Sequence, residues 1–119
     1  MNSQTVVDMN TLRQAMEQRN AELLISLYAD NAHMQIIDSI HQPSSPRELR
    51  GKQAIADYLS DICQREMTHR VMDEVIGENR LSFNWACQYP GGERVLAATV
   101  LELQNGKIIR QITVQAWDE

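Results

Sequence analysis

Asp38 closes a short apolar run, His33-Met34-Gln35-Ile36-Ile37, where that run gives way to a loop. A carboxylate there can serve as a general base if its surroundings strip away water and raise its pKa. Left in water, it does no more than cap the loop. His69 carries the other group suited to proton transfer, an imidazole whose ordinary pKa lies near neutrality. It can act as a general acid or base, hydrogen-bond inside a pocket, or face solvent from its strand. His33 and His41 read as surface residues. The three histidines show no H-x-x-x-H or similar ligand spacing, which predicts no metal site.

Other chemistries find no support. The chain has no G-x-G-x-x-G, no G-x-x-x-x-G-K-[ST] and no G-x-S-x-G, so no nucleotide, phosphate-loop or serine-hydrolase signature, and no cofactor is expected. Cys63 and Cys87 stand alone and read as reduced, partly buried thiols of a cytoplasmic protein. A net charge of −5 argues against nucleic acid or an anionic membrane as partner, since both require a basic footprint. No apolar run is long enough to cross a bilayer, and residues 1–8 lack a basic n-region. At 119 residues, 43% hydrophobic and 23% charged, the chain reads as one soluble globular domain over 1–119, large enough for a core without disulfides or metals.

The elements that must position Asp38 and His69 follow from periodicity. Leu12, Met16 and Arg19 mark one side of a helix from about Asp8 to Arg19. Asn20 is an N-cap for a second helix, whose apolar stripe is Leu23, Leu24, Leu27 and Tyr28, ending at Asp30-Asn31. The stretch 33–38 is a first strand. Residues 39–50 hold Pro43 and Pro46 without periodicity and read as a long loop, in which Arg47 and Arg50 could grip a ligand's carboxylate or phosphate. Gly51 opens a third helix, Lys52 to Arg65, with Ile55, Tyr58, Leu59 and Ile62 at helical spacing. Strands Met67–Ile76 and Leu81–Tyr89 follow. In the second, Leu81, Phe83, Trp85, Cys87 and Tyr89 share one face.

The stretch from Arg94 to Trp117 is a hairpin about Asn105-Gly106, the dipeptide best suited to a type I′ turn. Unbroken pairing from Gln104 opposite Lys107 predicts two faces. One carries Val95, Ala97, Thr99, Leu101 and Leu103 with Ile108, Arg110, Ile112, Val114 and Ala116. The other carries Leu96, Ala98, Val100 and Glu102 with Ile109, Gln111, Thr113, Gln115 and Trp117. Neither alternates cleanly with charge, so both faces are expected to be covered.

The order α-α-β-α-β-β-β-β, with N-A-E-L-L-I-S-L-Y-A-D-N-A before the first strand, L-R-G-K-Q-A-I at the third helix and N-G-K-I-I at the turn, resembles the SnoaL-like branch of the nuclear-transport-factor-two-like superfamily. The resemblance spans essentially the whole chain. It implies an α+β cone (a cystatin-like α+β roll), in which a curved, mostly antiparallel sheet wraps the N-terminal helices around a deep pocket. It also implies frequent homodimers. Members include ketosteroid isomerase, limonene epoxide hydrolase, scytalone dehydratase and polyketide cyclases, beside non-catalytic binding domains, so the fold leaves function open.

In the isomerase pattern a strand Asp is the base, and a Tyr with a protonated Asp forms the oxyanion hole. Here the tyrosine position falls near Leu12 and the second Asp near Thr99 or Val100, so that chemistry lacks its electrophile. The hydrolase Asp-Arg-Asp relay has no match. The cyclase and dehydratase pairing of an acid with an imidazole would fall to Asp38 as base and His69 as acid, the latter in H-R-V-M-D-E-V-I-G-E-N. The family geometry would line the pocket with Tyr58, Phe83, Trp85, Tyr89, Gln111, Thr113, Gln115 and Trp117, apolar walls with a few placed amides. Gln111 and Gln115 would instead face water if the aliphatic face formed the core. The expected partner is a small apolar or amphipathic molecule, bound for isomerisation, dehydration or cyclisation without cofactor, or bound without reaction. If the helices cover the Trp117 face, then Val95, Ala97, Thr99, Leu101, Ile112, Val114 and Ala116 stand exposed, which predicts a homodimer through the sheet.

Overall fold

The computed structural model describes residues 7–118 and builds the expected α+β cone. Three helices, α1 (Met9–Glu17), α2 (Ala21–Ser26) and α3 (Lys52–Gln64), cover the concave side of one sheet. Its six strands are β1 (Tyr28–Ile37), β2 (Arg47–Arg50), β3 (Thr68–Ile76), β4 (Arg80–Gln88), β5 (Arg94–Gln104) and β6 (Lys107–Trp117). They lie in the order β2-β1-β6-β5-β4-β3, antiparallel except where β1 runs parallel to β6.

Local chemistry sets the helices. The Asp8 carboxylate accepts from Thr11 N at 2.8 Å and caps α1, whose buried Met9, Leu12, Ala15 and Met16 recur at helical spacing. The helix ends two residues before Arg19, which turns the chain at φ 54°, and Asn20 caps α2 by accepting from Leu23 N. Beyond α2 the helical reading fails. Tyr28 does not continue that helix; it opens β1 and pairs with Ile108, while Leu27 O accepts from Ile108 N at 2.9 Å. The apolar spacing of Leu24, Leu27 and Tyr28 suits a helix, but a strand 80 residues on supplies the partner that decides.

The expected loop 39–50 also contains a strand. Arg47–Arg50 pairs antiparallel with His33–Ile36. Three of its four residues are charged, so no hydrophobic pattern announces it. That same composition suits an outermost strand, where charge discourages a further strand from adding. At the other edge, the Glu17 carboxylate accepts the Val71 N–H at 2.9 Å, and α1 covers β3.

The central hairpin turns at Asn105 (φ 53°) and Gly106 (φ 76°), with Gln104 opposite Lys107 and Leu103 opposite Ile108, as expected. Then the register slips. Glu102 stands opposite Arg110, not Ile109, and the slip persists to Val95 opposite Trp117. Ile109 is the extra residue of a β-bulge. Unbroken pairing would set Arg110 against Leu101 on a buried face, where an unpaired charge is costly. The bulge sends Arg110 outward to pair with Glu102 at 2.9 Å. It also reverses one half of each predicted face: Val95, Ala97, Thr99 and Leu101 share the concave side with Gln111, Thr113 and Gln115. The outer face carries Leu96, Ala98 and Val100 with Ile112, Val114 and Ala116. A second bulge at Asp73 (φ 58°) bends β3, where Asp73 accepts from Asn84 Nδ2.

Deleting Ile109 joins Ile108 to Arg110 and keeps Arg110 opposite Glu102, so both faces should survive at a cost of about 1 kcal/mol. Deleting Ile112, beyond the bulge, forces either Arg110 inward or Thr113 and Gln115 outward and should cost more than about 3 kcal/mol, the scale of leaving a buried charge unpaired. Urea titrations giving the same loss for both deletions would show that the bulge does not set the register.

Candidate functional site

The inward faces of the strands run from a packed interior to an open mouth. Deepest is a buried polar chain: the Tyr28 hydroxyl donates to Gln111 Oε1, Gln111 Nε2 donates to Thr113 Oγ1 at 2.9 Å, and Thr113 meets Thr99 at 3.3 Å. Burial, then the nearby Tyr58, pushes the Tyr28 phenol far above its usual range, so it stays a donor. Phe83 is buried in the same layer, 2% exposed. Of the expected pocket residues, Phe83, Gln111 and Thr113 thus form core beneath a cavity, not its lining.

Further along the same faces lies an open pocket of about 140 Å³. Its walls include Ile36, Ile62, Trp85, Val95 and Ala97; Asp38, Tyr58, Tyr89, Gln115 and Trp117 also line it, joined by Arg47 and Arg65. A continuous set of contacts fixes this rim. Trp117 Nε1 donates to Gln115 Oε1 at 3.2 Å, and Gln115 Nε2 donates to the Tyr58 hydroxyl at 3.0 Å. The Arg47 guanidinium lies 5.1 Å over the Tyr58 ring. Across the mouth, Tyr89 stacks on Trp117 at 6.1 Å and accepts from Arg65 Nη1 at 3.0 Å. The Tyr58 phenol is raised by burial against the lowering pull of Gln115, Arg47 and Arg65, so its proton stays in place. Among the described residues that proton has no acceptor.

The two proposed acid–base residues are not brought together. Asp38 Oδ1 accepts from Ile40 N at 3.1 Å, His41 N at 2.8 Å and His41 Nδ1 at 2.9 Å. Burial raises the carboxyl pKa, but the contacts from His41 and Ile40 outweigh it and hold the group below its ordinary value. Asp38 is therefore ionised and of lowered basicity, the reverse of the shift a desolvated base requires. Its imidazole partner is His41, read from sequence as a surface residue, on the turn that Asp38 itself closes.

His69 sits on β3, at the sheet edge farthest from β2, and faces inward, 8% exposed. Its Nδ1 accepts from Trp85 Nε1 at 2.9 Å, with Cys87 Sγ at 3.2 Å, which leaves the ring proton on Nε2. Burial and then the charge of Arg19 bring its pKa down to about 4. A neutral imidazole at pH 7 has no proton ready to give. Its place is behind the pocket wall, where it holds the Trp85 indole. Burial pushes the Cys87 thiol up to about 12 and raises that of Cys63, so neither is a ready nucleophile. Among the described residues no three His, Cys, Asp or Glu side chains cluster to hold a metal, and no helix is long and apolar enough to cross a membrane.

Sequence reading missed His41 and Arg65. Arg65 ends a helix, and its rim position depends on Tyr89 of a distant strand. The Asp38-x-x-His41 spacing was a visible signal for a turn closed by its own carboxylate.

The curved sheet wrapped on three helices, open at one end over a lined pocket, is an NTF2-like architecture. The profile of the SnoaL-like domain family matches residues 10–111, and the chain belongs to that family. No curated protein matches it. Among solved structures it is similar to an NTF2-like protein of unknown function from Mesorhizobium loti. The two share 16% identity over 91% of this chain and 87% of that one, with a TM-score of 0.78. A candidate ketosteroid isomerase from Kribbella flavida is 14% identical over 92% and 74%, TM-score 0.74. A computationally designed 17-OHP binder is 14% identical over 92% and 93%, TM-score 0.67. At such identities the likeness establishes the fold.

The His69 contact gives a pH prediction. Because its folded pKa lies near 4, below the ordinary 6.5, the unfolded chain takes up a proton first as pH falls. Stability present above pH 6.5 is then lost down to pH 4. His69→Gln should flatten that part of the pH dependence of the urea midpoint. An unchanged slope between pH 7 and about 4.5 would place the titration elsewhere.

Proposed function

We propose that this chain is a small-molecule-binding domain that takes a mostly apolar molecule into the mouth of its cone. The observation that carries this reading is the open pocket of about 140 Å³, apolar within and polar at its rim. A cavity of about 150 Å³ accommodates benzene, so the buried part of the ligand is about one ring in size. Trp85, Ile36 and Ile62 would pack on that ring, while Tyr58 offers a hydroxyl proton and Asp38 Oδ2 an acceptor that holds no donor among the described residues. Binding without reaction is favoured over catalysis by an Asp38–His69 pair, because each group already holds another partner and their pKa values are displaced away from that task.

Both tryptophans of the chain line this pocket, so their fluorescence reports on it. Cyclohexanone, benzyl alcohol or benzamide should change the emission saturably. Ala97 lies between Trp85 and Gln115 on neighbouring strands, where a larger side chain fills the cavity. Ala97→Leu should weaken binding at least about tenfold, about 1.4 kcal/mol, at an unchanged or raised melting temperature. Failure of all three probes at millimolar concentration, or full binding by Ala97→Leu, would defeat the proposal.

We propose further that two copies associate through the outer sheet face. Leu96, Val100 and Val114 are 45%, 43% and 47% exposed there, grouped with Ala98 and Ala116. Light scattering at micromolar concentration should give twice the chain mass, and Val100→Glu should halve it; a monomer mass before substitution would exclude the dimer. A reducing, cytoplasmic setting accords with the free thiols of Cys63 and Cys87.

A further inference from the structure

Arg47 is the cation at the pocket mouth whose charge is not yet answered. It lines the cavity from β2, on the same side as the buried Leu49, with its guanidinium stacked over Tyr58. Arg65, the other cation there, is engaged by Asp61 at 2.5 Å and by the Tyr89 hydroxyl. Asp38, the lining carboxylate, is bound on Oδ1 by three donors of its own turn. Among the described residues the Arg47 side chain makes no ion pair and no hydrogen bond.

Stacking occupies the face of a guanidinium and leaves its edge donors free, in the fork geometry that matches a carboxylate. It also fixes a side chain that would otherwise give up rotamer freedom on binding. The Tyr58 hydroxyl beneath it accepts from Gln115 and keeps its own proton to donate. Arg47, Arg65 and Asp38 all act electrostatically on that hydroxyl, which places the three charges around one point. An anion drawn there meets a guanidinium edge and a phenol proton together. Asp38, ionised nearby, disfavours a second negative charge on the same molecule.

Resting on the binding reading above, we infer that the ligand is a monoanionic carboxylic acid with a ring-sized apolar body. The ring enters the cavity, and the carboxylate takes the Arg47 fork and the Tyr58 proton at the rim. This contact lies on β2, the strand that composition does not reveal, and makes that strand the selector of ligand charge.

Benzoate, benzamide and benzylamine share a ring and differ in head group, so they separate charge from shape. Their affinities are measured by tryptophan fluorescence at low salt and again with about 0.5 M salt added, since an exposed charge contact is screened by ions. Benzoate should bind at least about tenfold more tightly than benzamide, about 1.4 kcal/mol, and lose much of that margin in salt. Arg47→Gln should bring the ratio of benzoate to benzamide affinity, both measured on the variant, close to one, at an unchanged melting temperature because Arg47 is exposed. Benzamide equal to benzoate, a preference for benzylamine, or an Arg47→Gln variant that still prefers benzoate would overturn the carboxylate while leaving the pocket standing. If none of the three binds, the binding reading falls with it.

Discussion

The register between β5 and β6 is the constraint on which the rest of the site depends. Side chains alternate across a strand, so one inserted residue exchanges everything beyond it between the two faces. With Ile109 bulged out, β5 and β6 both turn their pocket residues inward, and Arg110 finds Glu102 in water. Val95 and Ala97 then meet Trp117 and Gln115 on one wall. Without the bulge the two strands would disagree about which face is inside. The bends at Ile109 and Asp73 also add twist, and a twisted sheet can curl around helices instead of lying flat.

Polarity inside this cone is arranged in two layers with different consequences. The lower chain, Tyr28 through Gln111 and Thr113 to Thr99, joins these groups to one another. Joined in this way, buried polar groups rigidify a core instead of weakening it. The upper set at the rim satisfies its members only in part. Tyr58 retains a proton, Asp38 retains one oxygen, and Arg47 retains its guanidinium edge among the described residues. Groups poised at a concave surface with donors and acceptors in reserve are what ligand recognition draws on.

The same surroundings fix the charge of four of these groups. Asp38 is held ionised by its own turn, His69 is held neutral by burial and Arg19, and Tyr58 and Cys87 are held protonated. None is poised near neutral pH, where proton exchange would be easiest.

The amino-acid order alone determined the features set by neighbouring residues. Asn105-Gly106 dictates its turn because few side chains tolerate two positive φ angles, and Asn20 caps its helix through a contact three residues away. Alternation from Leu81 to Tyr89 marks an inward face, and Trp85, Tyr89 and Gln115 were legible as lining. The SnoaL-like order of elements was legible for the same reason. Tertiary structure decided what depends on partners remote in the chain. Tyr28 leaves the helix because Ile108 pairs with it, and Arg47–Arg50 becomes a strand because β1 offers an edge. Ile109 bulges because Arg110 cannot be buried. His69 serves Trp85, not Asp38, because β1 and β3 stand at different places in the sheet, separated by β6, β5 and β4. Local sterics act within a few residues, whereas burial and pairing are settled only when the whole sheet has closed around its helices.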